Sequence, residues 1–299
     1  MSKPTLKKSA FIVVPTYNEA ENIEALITEL AKVSRELKDW RIDILVVDDN
    51  SPDGTAGIVK KLQHKFAPAN LRLPHLRAQR PITQPPADTT LRLHLLINTT
   101  KKGLGAAYTK AFTHILQNFT PDFIIQMDAD FQHDPHDIPR FLEKTTQGPA
   151  SNPSATYEFI IGSRYIAGGD YPNWSFKRKL YSWGANLIAR FIAGIYNIDD
   201  CTSGFRCIST KFLRSLDLTT LKSDGYAFQM SLLHAASKKR IPIIQIPILF
   251  PNRRKGRSKL GHKDIREFFV NAFRLRFKRY RWNSASEAIA PLKNKSDPK

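Results

Sequence analysis

At 299 residues the chain can hold one large domain or two modest ones, and its 41% hydrophobic and 24% charged fractions are ordinary for a globular protein with an ample core. Its 46 Lys and Arg against 27 Asp and Glu leave a net charge of +19, which calls for an anionic partner: nucleic acid, lipid headgroups or a phosphorylated substrate. No stretch reaches the roughly 18 uncharged residues that a membrane-spanning helix needs, and the basic start MSKPTLKKSAFIVVP is broken at Pro15, so neither a bilayer span nor a signal peptide is expected.

FIVVP (11–15) reads as a buried strand, and AENIEALITELAKVSREL (20–37) as an amphipathic helix with Ile23, Leu26, Ile27 and Leu30 on one face. IDILVVDD (42–49) is a second strand, closed by the turn NSPDGT (50–55) and followed by the helix AGIVKKLQHKF. The segment 68–90 carries five prolines and little periodicity and reads as a surface-loop insertion, with TTQGPASNPSATYE (145–158) a shorter one. LRLHLLIN (91–98) is a third strand; KKGLG (101–105) lacks the spacing of a phosphate loop and reads as a glycine turn into the next helix. DFIIQMD ends a fourth strand, and IPIIQIPILF (241–250) is also of strand length. Strands alternating with helices predict an α/β fold, a mostly parallel sheet flanked by crossover helices. Cys201 and Cys207, in DCTSGFRC, match neither zinc-site nor disulfide-framework spacing and read as reduced structural thiols, implying a reducing cytosolic face.

In such sheets ligands sit beyond the carboxyl ends of the strands, so Pro15–Glu19, Asp48–Asp49 and Asp128–Ala129–Asp130 are expected to converge on one crevice. Asp128 and Asp130 can both reach one hard divalent cation, Mg2+ or Mn2+, with the Gln132 amide oxygen as a further ligand. The alternative is a helix cap at Asp130 or Asp134 ahead of Pro135. Four acids at one sheet edge repel one another unless a cation or hydrogen-bond donors are present. Asp199–Asp200 suits either sugar-hydroxyl orientation or a turn. FKRKLYSW (176–183) alone is a solvated basic run, yet Arg178 and Ser182, four apart on a predicted helix, share a face that can cradle a phosphate.

VVPTYNEAENI, VVDDNSPDGT, KKGLGAAYTKAF, MDADFQHDP, IGSRYIAGG, DCTSGFR and GYAFQM occur in this order from about residue 11 to about residue 262. Together they resemble the dolichol-phosphate (polyprenyl-phosphate) mannosyltransferases of glycosyltransferase family 2. The resemblance implies a GT-A type, Rossmann-like nucleotide-sugar fold over 1–262 and transfer of mannose from GDP-mannose to a polyprenyl (dolichyl) phosphate. It implies that Pro15, Tyr17 and Glu19 bind the nucleoside, and that Val47 and Asp49 contact base and ribose. Asp128, Ala129, Asp130 and Gln132 match the metal and diphosphate site; Arg164, Arg178 and Ser182 match the acceptor-phosphate site; Arg253 and Lys259 match a basic loop over the donor phosphates. The chemistry agrees independently: a monophosphate acceptor, with a second pKa of about 6, is already a nucleophile at neutral pH, so no strong general base is required. Displacement from one face inverts the anomeric carbon. Another sugar nucleotide such as UDP-glucose is the alternative donor. A nucleic-acid partner is not expected, because the strand-end carboxylates repel phosphates unless metal is bound.

Between Arg253 and Arg281 twelve Lys and Arg stand against two acidic residues, over half the chain's surplus. There Ile265, Phe268, Phe269, Ala272, Phe273, Phe277 and Tyr280 recur at helical spacing ahead of Trp282, predicting a basic amphipathic helix on a membrane surface within a C-terminal segment 263–299. Leu180, Trp183, Leu187, Ile188, Phe191 and Ile195 form a second stripe, suited to core packing or to the same surface. The expected location is the cytosolic face of a membrane (endoplasmic reticulum in a eukaryote, plasma membrane in a bacterium), held peripherally or by separate membrane subunits.

Overall fold

The computed structural model describes residues 7–66, 91–152, 154–221, 225–252 and 262–283. The proline-rich segment 68–90 and both Arg253 and Lys259 fall outside these residues. The chain order is β1 (Lys8–Thr16), α1 (Ile23–Glu36), β2 (Trp40–Asp48), α2 (Thr55–Phe66), β3 (Leu91–Ile97), α3 (Leu104–Asn118), β4 (Phe123–Gln126) and α4 (Ile138–Lys144). It continues through β5 (Phe159–Ser163), α5 (Phe176–Phe191), β6 (Arg206–Ser209), α6 (Thr210–Ser215), α7 (Gly225–Lys239), β7 (Ile243–Pro247) and α8 (His262–Arg276).

Seven strands form one sheet in the order β3-β2-β1-β4-β6-β5-β7. The β1–β2, β2–β3, β1–β4 and β5–β7 pairs are parallel, while β6 runs antiparallel to both β4 and β5. Alternation within β1 divides the core. Phe11 and Val13 face the α3–α7 side, whereas Ala10, Ile12 and Val14 face the α1–α2 side. With both faces covered, the central strands become the near-continuous apolar runs seen in the sequence.

Helix starts follow side-chain chemistry. Gly103, at φ 89°, opens α3, a conformation that a side chain rarely adopts. Ser175 caps α5 by accepting the Arg178 N–H, and Asp134 accepts the His136 N–H to cap the short 3-10 turn Pro135–Asp137. The cap before this region is therefore Asp134, and Asp130 belongs to the turn preceding it.

The amphipathic stripe of α8 is divided. Phe268, Ala272 and Leu275 are buried in the core, whereas Phe269, Phe273 and Phe277 are exposed on an i, i+4, i+8 line. Phe268 and Ala272 thus belong to the interior rather than to an outward face. The helix ends at Arg276, and Trp282 pairs with Leu216 in a β-bridge and packs against the core. On α5 the split is similar: Leu180, Trp183, Leu187 and Phe191 are exposed and Ile188 is half-buried, while Ile195, beyond the end of the helix, is buried. Both cysteines are free and buried; burial pushes the Cys201 thiol up to about 12.

His234 of α7 is buried, with Nδ1 2.9 Å from Tyr280 Oη, whose hydroxyl donates to Ser231 O. Desolvation, helped by Lys238 and Lys278, lowers its pKa to about 4, so the folded protein holds it neutral while the unfolded chain protonates near its ordinary value. The unfolded state therefore binds the proton first, and stability present above about pH 6.5 is lost as the pH falls toward 4. Thermal melting at stepped pH should show this loss, and His234→Phe should flatten the slope in that window.

Candidate active site

The carboxyl ends of β1, β2 and β4 lie side by side, because Thr16 pairs with Asp48 and the Met127 N–H donates to Val13 O. Of the four acids gathered there, Asp48 and Asp49 are met by protein donors. Asp48 accepts from Thr16 Oγ1 at 2.9 Å and from the Ser51 N–H and hydroxyl at 2.8 and 2.6 Å. Asp49 accepts from Asn98 Nδ2 and from the backbone N–H groups of Lys102 and Gly103 at 3.1 and 2.9 Å. Asp49 thereby fastens the 98–103 loop to the sheet edge. That loop lays the Lys101 ammonium 3.9 Å from the centre of the Tyr17 ring. Pro15, Tyr17 and Glu19 are half-buried at this mouth, with Glu19 accepting from Asn22 Nδ2. Val47, by contrast, has its side chain fully in the core.

The β4 end is built differently. Asp128 is 36% exposed, whereas Asp130 is buried and accepts the Gln132 N–H at 3.1 Å. Phe131, between Asp130 and Gln132, sits at φ 62°, a backbone that an aromatic residue rarely adopts, so the turn needs outside support. His133 supplies it. Its Nδ1 accepts the Asp128 N–H at 2.9 Å, and its ring is stacked on Phe205 at 4.8 Å and against Phe250 at 5.3 Å. Desolvation, opposed by Asp130, lowers the His133 pKa to about 4, consistent with a neutral ring accepting at Nδ1. The Gln132 amide nitrogen donates to Pro251 O at 2.6 Å, so a role toward a cation falls to the amide oxygen. Ala129 is buried in the core. Among the described residues no three His, Cys, Asp or Glu side chains are grouped to hold a metal; the oxygen set at hand is two carboxylates and one amide. That hard donor set fits Mg2+ or Mn2+, which complete their shells with water or phosphate.

Behind this turn lies a buried polar layer. Arg206, across the β4–β6 pair from Gln126, donates to Gln229 O at 2.6 Å and Cys201 O at 3.0 Å. Tyr108 Oη, Arg206 Nε and both amide ends of Gln126 and Gln229 have no hydrogen-bond partner among the described residues. Burial, reinforced by the neighbouring Asp128 charge, raises the Tyr108 pKa well above its ordinary value.

Two guanidinium groups, Arg164 and Arg178, gather around Trp174, which is linked to His133 of the acidic turn through Phe250. Arg164, next to the end of β5, is 6% exposed and forms a bidentate pair with Asp200: Nε and Nη2 each donate to a carboxylate oxygen at 2.7 Å, and Nη2 also reaches Thr202 Oγ1. Burial alone would raise the Asp200 carboxyl, but the Arg164 charge and hydrogen bonds hold it below the ordinary range. Asp200 also accepts the Ser203 N–H, so it serves the turn and the ion pair rather than a sugar. Asp199 pairs with Arg190 and accepts from Gln245. Arg178 lies 3.8 Å from the centre of the Trp174 indole and donates to Asn252 Oδ1 at 3.2 Å. Ser182 bonds the Tyr165 hydroxyl at 2.7 Å.

Pro15, Tyr17, Glu19, Asp49, Asp128, Asp130 and Gln132 thus lie at the carboxyl ends of β1, β2 and β4. Arg164 follows β5, Arg178 and Ser182 lie on α5, Val47 and Ala129 are in the core, and Arg253 and Lys259 fall outside the described residues. Sequence reading missed His133, Trp174, Tyr165 and the pairing of Arg164 with Asp200. The pair is separated by 36 residues, and no local pattern announces it.

The family model of glycosyl transferase family 2 matches residues 11–216. The chain is 32% identical over 265 residues to a polyprenol monophosphomannose synthase of Mycolicibacterium smegmatis, covering 89% of this chain and 85% of that one. It is 33% identical over 262 residues to an undecaprenyl-phosphate mannosyltransferase of Micrococcus luteus, covering 88% and 91%. A dolichol-phosphate mannosyltransferase of Pyrococcus furiosus is 30% identical over 265 residues, covering 88% of this chain and 62% of that protein. Among solved structures, glucosyl-3-phosphoglycerate synthase from Mycobacterium tuberculosis with Mn2+, uridine diphosphate and phosphoglyceric acid superposes with a TM-score of 0.57 at 16% identity, covering 91% and 80%. Mannosyl-3-phosphoglycerate synthase from Rubrobacter xylanophilus gives 0.56 at 17%, covering 90% and 72%. These two likenesses establish the GT-A type fold.

Asp200→Asn leaves the Arg164 charge buried beside a neutral partner. It should cost about 3–5 kcal/mol of folding free energy, read as a lowered urea midpoint.

Proposed function

Because the chain belongs to glycosyl transferase family 2, we propose that it transfers mannose from GDP-mannose to a polyprenyl (dolichyl-type) monophosphate, with inversion, giving polyprenyl-phosphate β-mannose. The observation that carries the reading is the link between an acidic turn and a cationic cluster. They are joined by the ring contacts His133–Phe250 at 5.3 Å and Phe250–Trp174 at 5.8 Å. A sugar diphosphate and a lipid monophosphate are both anions, and a transferase must seat both without letting them repel each other apart.

Tyr17, Glu19 and the Pro15 edge line the nucleoside side, while Asp49 holds the 98–103 loop that completes it. Asp128, Asp130 and the Gln132 oxygen would hold Mg2+ or Mn2+, which neutralises charge developing on the leaving diphosphate. Arg178 and Ser182 bind the acceptor phosphate at the start of α5, and Arg164, neutralised by Asp200, braces that side. The first turn of α5 carries Lys177, Arg178 and Lys179 and no acid, a cationic run at the positive end of a helix dipole. That placement is unfavourable for folding and favourable for an anion. The acceptor phosphate is already ionised and attacks directly, so the site needs orientation and charge stabilisation more than a base. Arg253 and Lys259 are assigned to the donor phosphates.

The acceptor's tail requires a lipid surface. The neighbouring helices α5 and α8 expose Phe176, Trp183, Phe191, Phe269, Phe273 and Phe277, flanked by Lys and Arg. An aromatic and basic face of this kind suits an anionic bilayer surface, and no helix among the described residues is long and apolar enough to cross one.

Incubating the purified chain with labelled GDP-mannose or UDP-glucose and polyprenyl phosphates should move label into lipid from GDP-mannose only, in the presence of Mg2+ or Mn2+. Asp130→Asn, which keeps an acceptor for the Gln132 N–H, should retain the melting temperature and abolish transfer; full turnover by this variant would remove the metal-site assignment. Replacing Trp183, Phe191 and Phe273 together by Ser should release the protein from sedimenting anionic vesicles; unchanged binding would rule out this face.

A further inference from the structure

We infer that Trp174 is the positioning residue of the acceptor site, its indole holding the Arg178 guanidinium in place for the incoming phosphate. This rests on the reading of Arg178 as a phosphate ligand. Trp174 is 7% exposed and packs between Tyr171 at 5.1 Å and Phe250 at 5.8 Å. Over this ring lies the Arg178 guanidinium at 3.8 Å, and the Arg164 guanidinium carbon is 5.3 Å from the same centroid. Asp200 meets the Arg164 charge, and the negative face of the indole, the strongest among the aromatic side chains, attracts the Arg178 guanidinium lying over it.

The choice of residue is informative. Trp174 Nε1 is buried and has no acceptor among the described residues. An unsatisfied buried donor is unfavourable, and a phenyl ring would fill apolar volume without carrying one. Volume alone therefore does not account for an indole here; its electron-rich face does. The grip on Arg178 has a second arm. Asn252 Oδ1 accepts from Arg178, and Asn252 Nδ2 donates to Asn173 O at 2.8 Å, immediately before Trp174. Asn173 itself sits at φ 63°, a turn conformation that Asn tolerates better than most residues. Ring, amide and turn form one unit that orders a long side chain before the ligand arrives. An arginine otherwise loses rotamer freedom on binding, so its ordering in advance strengthens acceptor affinity and leaves the chemical step largely alone.

Steady-state kinetics test this, with polyprenyl phosphate and GDP-mannose each varied while the other is saturating. Trp174→Leu should raise KM for polyprenyl phosphate about fivefold or more, with KM for GDP-mannose shifting less than about twofold. Trp174→Phe, whose ring face is weaker, should recover part of the loss and no more than part. In the double variant with Arg178→Ala, Trp174→Leu should add less than about twofold, because the two act through one group. Independent, multiplying effects, a defect confined to kcat or to GDP-mannose, or no recovery by Phe would overturn the inference. If Trp174→Leu does not fold, stepwise fluorinated tryptophan at this position keeps the shape while weakening the ring face; a graded rise in KM supports the role and a flat series refutes it. Unchanged acceptor KM in Arg178→Ala would instead bring down the acceptor-site reading itself. A raised KM there beside an unchanged one in Trp174→Leu removes only the role of Trp174.

Discussion

The buried pair of Arg164 and Asp200 is the contact on which the site is assembled. Taking both ions out of water is costly, and only the two-pronged geometry with added bonds from Thr202 and the Ser203 N–H makes it tenable. What it secures is relative position. Arg164 follows β5, Asp200 precedes β6, and these antiparallel neighbours carry the cationic side of the crevice. The same guanidinium lies 5.2 Å from Phe250 and 5.3 Å from Trp174, so the aromatic bridge to the acidic turn rests on it. Arg164 thus ties the end of β5 to the segment ahead of β6 through Asp200 and Thr202.

The crowding of carboxylates at one sheet edge is resolved in two unlike ways. Asp48 and Asp49 are enclosed by hydroxyl, amide and backbone donors, and their charge is spent on holding loops. Asp128 and Asp130 lie on a turn with an unfavourable Phe131 backbone that is kept closed by the neutral ring of His133. The acids at the end of β2 are thus fixed by donors from three neighbouring segments, and those at the end of β4 by the turn that carries them.

Much of this was legible in the chain. The apolar runs 11–15 and 42–49 with their polar ends gave the strands and the crevice, because alternation of strand and helix leaves few topologies. The glycine turn at 103 and the cap at Asp134 were readable from local backbone chemistry. What was not readable depends on contacts between distant residues. Nothing near Arg164 reveals Asp200, and nothing in the 265–280 periodicity separates Phe268 and Ala272, which face the core, from Phe269 and Phe273, which do not. A stripe broad enough for two partners looks the same in sequence as a stripe for one.

Helix α5 carries Arg178 in its first turn and exposes Phe176, Leu180, Trp183, Leu187 and Phe191 along its whole length, roughly 22 Å at about 1.5 Å per residue. A greasy flank of fixed length thus runs from the turn that carries Arg178 to the far end of the helix. If that flank rests on lipid, the altitude at which a headgroup is received is set by the protein and does not adjust to the guest.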